Sequence, residues 1–377
     1  MAKKRRNTTL MLLAGHIAMA CGKHTASNDD LWKDGKPIQL SSGPWPDSEY
    51  RHYLISDFSP GTFFPIFSTL AIGGSTVHSE IIRAVIWVHG LAANANSYFV
   101  DGLTIAEAAG QDASTLTIVP WFGETVVNGS FWSSSLDSTL KSIYWYDDVS
   151  YAHWVSGGNC AGNVSGGPYT SFSIMDKLVG QLQDATTRFP KLGSITIAGF
   201  SAGCQMSSRW AFFSDIVAPS SSNRASVHII ASDCGSYMYL DTDRPMESCR
   251  PLEDRGSNHT CSEFGKPRWT RRRYYNSYKY GLHNAVSDNQ YSDEELEQMT
   301  KDFPSKDVRF LFGSEDSCNC NYPSYNNPSY CFHYDLSCSP VYGQTNTCCD
   351  TYPDTTIDNA FDNSSEAMLE GSNRLQR

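Results

Sequence analysis

Residues 194–214 read SITIAGFSAGCQMSSRWAFFS, and this stretch decides the fold class. Its first part, Ile195-Thr196-Ile197-Ala198, is short, apolar and β-branched, as a buried strand requires. Its last part, from Ala202 to Ser214, sets Met206, Trp210 and Phe213 on one helical face. Between them stands Gly199-Phe200-Ser201-Ala202-Gly203. A serine in so abrupt a strand-to-helix turn takes a strained backbone conformation, and glycines on either side remove the Cβ atoms that would hold strand and helix apart. In this setting G-x-S-x-G reads as a nucleophile elbow, with Ser201 as the nucleophile.

Working outward, four more short β-branched runs read as strands: residues 84–88, 116–119, 227–230 and 308–312. Between the second and the elbow strand, Ile174, Leu178 and Leu182 recur at helical spacing within Ser173 to Arg188. A further helix, Ser292 to Lys301, opens with Asp293, Glu294 and Glu295, which suit the positive end of a helix dipole. Strand and helix in alternation predict an α/β chain with a mostly parallel sheet flanked by helices and right-handed crossovers. Two stretches interrupt the alternation. Residues 241–290 are polar and aromatic, with Trp269, Tyr274, Tyr275, Tyr278 and Tyr280, and read as a cap-like excursion. Residues 317–350 are dense in Cys, Asn, Pro and Tyr and have no clear period. No repeat or linker stands out, so residues 21–377 read as one elaborated domain.

The opening 20 residues pair Lys3, Lys4, Arg5 and Arg6 with a short apolar run ending Ala18-Met19-Ala20, the layout of a secretory signal peptide. The run is too short to span a bilayer, and no other segment is apolar for long enough. Removing the leader takes four positive charges and moves the net charge from −11 to −15. So acidic a body lacks the basic footprint that nucleic acid needs. The exception, Arg271-Arg272-Arg273 beside Trp269, reads as a solvated loop or an ion-pair partner rather than a binding patch.

Twelve cysteines agree with an oxidising, extracellular compartment. Cys249 with Cys261, and the crowded Cys318, Cys320, Cys331, Cys338, Cys348 and Cys349, are disulfide candidates. Their gaps do not match those of common structural zinc sites, so no metal is implied. Cys204, directly after the elbow, reads as a buried free thiol. Sequons at Asn128, Asn163, Asn258 and Asn363 suit a glycoprotein.

His89-Gly90 closes the 84–88 strand and leads into Leu91-Ala92-Ala93-Asn94. In acyl-transfer enzymes of this architecture, N–H groups from that loop and from the residue after the nucleophile hold the tetrahedral oxyanion. That assigns the donors to Leu91 and Ala202, with Gly90 shaping the loop and His89 ordering it rather than acting as base. The acid is expected beyond the strand two after the elbow strand, where Gly313-Ser314-Glu315-Asp316 follows. Asp316 is preferred, Glu315 is the alternative, and Asp241 and Asp243 are runners-up. Chain order then calls for a histidine after the acid. His333, inside the cysteine-rich stretch, is the sole candidate, because His153, His259 and His283 precede Asp316.

At these residues the chain resembles the α/β-hydrolase superfamily, and more narrowly a group of secreted hydrolase-like proteins, from about Glu80 to the C-terminus. Trp145, Trp154-Val155-Ser156-Gly157, Ser171 to Asp176, Ser236-Tyr237-Met238-Tyr239, Tyr275 to Leu282 and Met368 to Arg374 carry the narrower likeness. The resemblance implies the α/β-hydrolase fold and a final helix followed by a strand and a Gly-His-Asp-type loop bearing the catalytic histidine. This chain ends at Arg377, within that helix, so the expectation is a shortened chain, with loss of the base as the alternative. The leading expectation is a secreted serine esterase without cofactor, acting on a small-molecule or polymer ester through an acyl-enzyme on Ser201. The alternatives are a peptidase or amidase using the same elbow, and a catalytically impaired binding protein on the same scaffold.

Overall fold

The structure is a computed structural model that describes residues 48–54, 61–124, 126–145, 154–161, 169–217, 224–234, 236–245, 264–265, 276–278, 280–285 and 291–311. The strands are β1 (Arg51–Leu54), β2 (Thr62–Ser68), β3 (Arg83–Val88), β4 (Thr115–Pro120), β5 (Lys141–Ser142), β6 (Ser194–Phe200), β7 (Ser226–Ser232), β8 (Arg244–Pro245), β9 (Phe264–Gly265) and β10 (Val308–Leu311). The helices are α1 (Ala95–Ala108), α2 (Gly129–Trp132), α3 (Ser171–Asp184), α4 (Ala202–Phe213) and α5 (Asp293–Asp302).

The main sheet runs β1-β2-β4-β3-β6-β7-β10, with β5 pairing alongside β2. β3 lies at its centre and pairs in parallel with β4 and β6, Val85 facing Thr117 on one side and Thr196 on the other. All six residues of β4 are buried, so both faces of the sheet are covered, as parallel sheets require. All five strands read from the sequence are present, with residue 312 outside the described set. The antiparallel β1–β2 edge has no counterpart among those expectations. Its main strand, Thr62–Ser68, is almost wholly buried and carries Pro65, so it shows neither alternation nor an uninterrupted β-branched run.

α3 begins two residues earlier than its periodicity predicts and ends four earlier. Thr170 accepts from the Ser173 amide in a capping box that starts the helix. Beyond the helix Arg188 serves a different purpose, donating to the carbonyls of Ala71 and Thr76. α4 matches its predicted span to within a residue. α5 starts from Ser292, which exchanges hydrogen bonds with Glu295.

The described residues form two compact units. One comprises those up to Ala231 with Asp307–Arg309; the other comprises those within Ser232–Lys306 and after Arg309. The first holds an aromatic core in which Trp132, Trp145, Trp154 and Trp210 are fully buried. Phe122 stacks on Trp154 with centroids 5.1 Å apart and planes 3° from parallel. In the second, β8 pairs with β9, the Tyr239 amide donates to the Tyr280 carbonyl, and Tyr278 is buried. Most of the cap-like excursion and all of the cysteine-rich stretch lie outside the described residues. Among the described residues no helix is long and apolar enough to cross a membrane.

Candidate functional site

β6 ends at Phe200 and α4 begins at Ala202, leaving Ser201 alone to turn the chain, at φ 54° and ψ −118°. A side-chain-bearing residue takes such a conformation only where its surroundings impose it. The two glycines show how. A Cβ on Gly199 would lie 2.2 Å from the Gly203 carbonyl oxygen, and one on Gly203 would lie 2.1 Å from the Val88 oxygen. The elbow is thus pressed against itself and against the end of β3.

The segment after β3 is tied down as tightly. His89 is fully buried. Its Nε2 accepts from the Phe122 amide at 3.1 Å, which places the ring proton on Nδ1, from where it donates to the Gly90 carbonyl at 2.7 Å. Burial lowers its pKa to about 4 against the opposing pull of that carbonyl, so the ring is neutral near pH 7. With both nitrogens engaged, His89 orders the loop, as the sequence suggested. The Ala93 amide also donates to Gly90, at 3.3 Å, and Trp121 Nε1 donates to the Ala93 carbonyl at 3.1 Å. Ala93 is held at φ 51°.

Ser201, Gly199, Gly90 and Leu91 share the wall of one cavity of about 250 Å³. Leu91 is 44% exposed at its rim. Ala202 is the first residue of α4, where a backbone N–H has no acceptor within the helix. The fold therefore gathers the nucleophile candidate and the loop of the oxyanion candidates, which lie 110 residues apart in sequence. Trp87, Ala92, Ala198 and Phe200 also line the cavity, together with a helix the sequence reading missed: Asn94 at the cap of α1, then Ser97, Tyr98, Asp101 and Ile105 within it. The i, i+3, i+4, i+7 spacing of Asn94, Ser97, Tyr98 and Asp101 was the available signal, concealed because those four are polar.

Asp316 and His333 lie outside the described residues, as do Glu315, the sequons Asn163, Asn258 and Asn363, and the disulfide candidates Cys249, Cys261, Cys318, Cys320, Cys331, Cys338, Cys348 and Cys349. Asp243 donates its amide to the Asp241 side chain within a turn. Asn128 is exposed and accepts from Lys141. One expectation is overturned: Cys204 is not a free thiol but is disulfide-bonded, as is Cys234. Its burial in the first turn of α4 reflects a covalent partner that sequence spacing did not reveal. The free buried thiol among the described residues is Cys160, whose pKa burial raises.

A second serine–histidine–aspartate contact set lies elsewhere. His228 bonds Ser226 Oγ through Nε2 at 2.8 Å and Asp307 through Nδ1 at 2.6 Å, with Arg309 holding Asp307. Ser226 sits beside Gly193 at the opening end of β6, roughly 25 Å from Ser201 at about 3.3 Å per strand residue. It is exposed, and none of its residues lines the cavity of Ser201.

No family model and no curated protein matches the chain. Solved structures are similar at low identity. A poly(aspartic acid) hydrolase from Sphingomonas sp. KT-1 is 15% identical, with 86% of this chain and 97% of that one covered and a TM-score of 0.39. A poly(3-hydroxybutyrate) depolymerase from Bordetella parapertussis is 12% identical over 86% of this chain and 78% of that one, with a TM-score of 0.41. A siderophore hydrolase from Aspergillus nidulans is 12% identical over 81% of this chain and 100% of that one, with a TM-score of 0.29. The central parallel strands flanked by helices, and the elbow between β6 and α4, give this chain the α/β-hydrolase fold.

Proposed function

We propose that the chain is a secreted serine hydrolase that cleaves carboxylic esters through an acyl-enzyme on Ser201. The observation that carries this is the strained Ser201 backbone, enforced by Gly199 and Gly203, on the wall of a cavity shared with Gly90 and Leu91. Conformations that cost about 1–3 kcal/mol persist only where the surroundings impose them, and they cluster at active sites.

In this reading Ser201 Oγ forms a bond to the ester carbonyl carbon while its proton passes to a histidine. The Leu91 and Ala202 N–H groups hold the resulting oxyanion. Collapse of the tetrahedral adduct expels the alcohol, which takes the proton. Water, deprotonated by the same histidine, then releases the acid and restores Ser201. Asp316 orients the histidine, for which His333 is the candidate within this chain. His89 is unsuited to the role, since its two nitrogens are committed to Phe122 and Gly90. Secretion is supported by the leader-like N-terminus, the disulfide-bonded Cys204 and Cys234, and the exposed sequon Asn128.

The test is labelling of the full chain with a fluorophosphonate, followed by hydrolysis of matched ester and amide substrates. The expected result is labelling that Ser201→Ala abolishes, with ester cleavage exceeding amide cleavage. A folded chain that resists the probe overturns the reading in favour of a non-catalytic binding protein, and preferential amide cleavage moves it to a peptidase or amidase. His333→Ala and Asp316→Asn separately test the two partners assigned from the sequence.

A further inference from the structure

The loop after β3 is held at both ends by two consecutive residues that follow β4. The Phe122 amide donates to His89 Nε2 at 3.1 Å, and the Trp121 indole N–H donates to the Ala93 carbonyl at 3.1 Å. Between these anchors the Gly90 carbonyl accepts from His89 Nδ1 at 2.7 Å and from the Ala93 amide at 3.3 Å, which closes residues 90–93 into a tight turn. A planar trans peptide points its N–H away from its C=O, and the Leu91 N–H shares a peptide with that carbonyl. Whatever fixes the turn therefore fixes the direction of the Leu91 N–H. The turn carries a strain of its own, because Ala93 at φ 51° is in the left-handed region that a side chain disfavours. Trp121 is placed to supply the restraint. It is buried, stacked on Trp132 with centroids 5.5 Å apart and planes 10° from parallel, and packed so close to Gly123 that a Cβ there would lie 2.8 Å from its Cε2. A buried indole N–H is a donor only and has to end on an acceptor, here the Ala93 carbonyl.

We infer that Trp121 is a positioning residue for acyl transfer at Ser201: by holding the Ala93 carbonyl, its indole N–H keeps the 90–93 turn closed and aims the Leu91 N–H at the oxyanion. The inference rests on Ser201 as the nucleophile and Leu91 as an oxyanion donor. Trp121 is not among the residues that line the cavity of Ser201, so it acts through Ala93 and not on the substrate. His89 and Trp121 divide the task, one fixing the Gly90 carbonyl and the other the far end of the turn. The effect falls on rate and not on substrate binding, because the oxyanion exists only once Ser201 Oγ has bonded to the carbonyl carbon. A donor that drifts by ~1 Å loses much of its hold on that charge.

The test removes the N–H and keeps the ring: benzothienylalanine is incorporated at position 121 of the full chain, exchanging the indole N–H for sulfur, with Trp121→Phe as a second variant. Hydrolysis of p-nitrophenyl acetate gives KM and a kcat per site titrated with fluorophosphonate. Inhibition by 1,1,1-trifluoroheptan-2-one gives a Ki for a hemiketal, in which Ser201 Oγ bonds to the ketone carbon, its proton passes to the histidine and the ketone oxygen becomes the oxyanion. The expected result is a kcat at least about tenfold lower, a KM within about threefold of the parent, and a Ki raised by about the factor that kcat loses. A merely structural role would lower the number of titrated sites and leave kcat per site and Ki unchanged. That outcome, or a change confined to KM, overturns the inference and leaves Ser201 in place. Should the benzothienylalanine chain not fold, the same comparison on Trp121→Phe decides. A parent chain that neither takes the fluorophosphonate nor cleaves the ester overturns the nucleophile reading, and the role of Trp121 with it.

Discussion

Gly203 lies so close to Val88 that a Cβ on the glycine would stand 2.1 Å from the valine's carbonyl oxygen. This contact joins the start of α4 to the end of β3, and so sets the nucleophile candidate beside the loop that follows β3. The obstacle is backbone on both sides, which a side-chain rotation cannot relieve.

Gly203→Ala is therefore expected to cost at least about 2–3 kcal/mol through overpacking. It should also reduce Ser201 labelling by more than about tenfold, since displacing a reacting group by ~1 Å costs far more than that. Urea denaturation and labelling kinetics on the same sample measure the two effects. A variant as stable and as reactive as the parent would show that the elbow can shift freely.

Ser201 is itself a source of instability. At φ 54° it pays a strain that glycine does not. Ser201→Gly is expected to abolish labelling and raise stability by about 1 kcal/mol, or roughly 1–2 °C in Tm for a chain of this size. Thermal unfolding checks the sign, and a lower Tm would mean that the hydroxyl contributes more to the fold than the backbone strain removes.

His89 makes the stability depend on pH. Its folded pKa, about 4, lies below the ordinary 6.5 because burial penalises the cation. Between those values the unfolded chain binds a proton that the folded chain refuses. The stability held by the neutral ring is therefore fully present above pH 6.5 and is lost as the pH falls toward 4. The full effect is about 3 kcal/mol, of which about 2 kcal/mol is lost between pH 7 and pH 5. Unfolding free energies measured at those two pH values should differ by that much more in the parent chain than in His89→Gln. Equal differences would place His89 outside the titration.

The Ser226–His228–Asp307 set provides a control. Its geometry is triad-like, yet it sits at the opposite end of β6 from the elbow, with Ser226 exposed. Ser226→Ala and His228→Ala are expected to leave Ser201 labelling within about twofold and to cost about 1 kcal/mol or less of stability. Phosphonylation mapped to Ser226 by peptide sequencing would assign this cluster a reactivity of its own.

The sequence by itself determined the parallel centre of the sheet, the elbow and the loop after β3, because each rests on local chemistry. Buried β-branched runs have no other stable place, and a serine between two glycines at a strand-to-helix junction has few other conformations. The helices α4 and α5 were legible for the same reason, from an apolar face in one and an acidic first turn in the other. Tertiary structure alone decided the rest. β2 was hidden because burial on both faces erases alternation and Pro65 interrupts the strand pattern. α1 was hidden because Asn94, Ser97, Tyr98 and Asp101, which make up most of its cavity-facing side, are polar, and polar residues at helical spacing announce no core. Cys204 was misread because a disulfide depends on the meeting of two distant thiols, which local spacing does not encode. The cavity wall of Asn94, Ser97, Tyr98 and Asp101 belongs to the same class: its chemistry exists only once Gly102 lets α1 settle against Trp87.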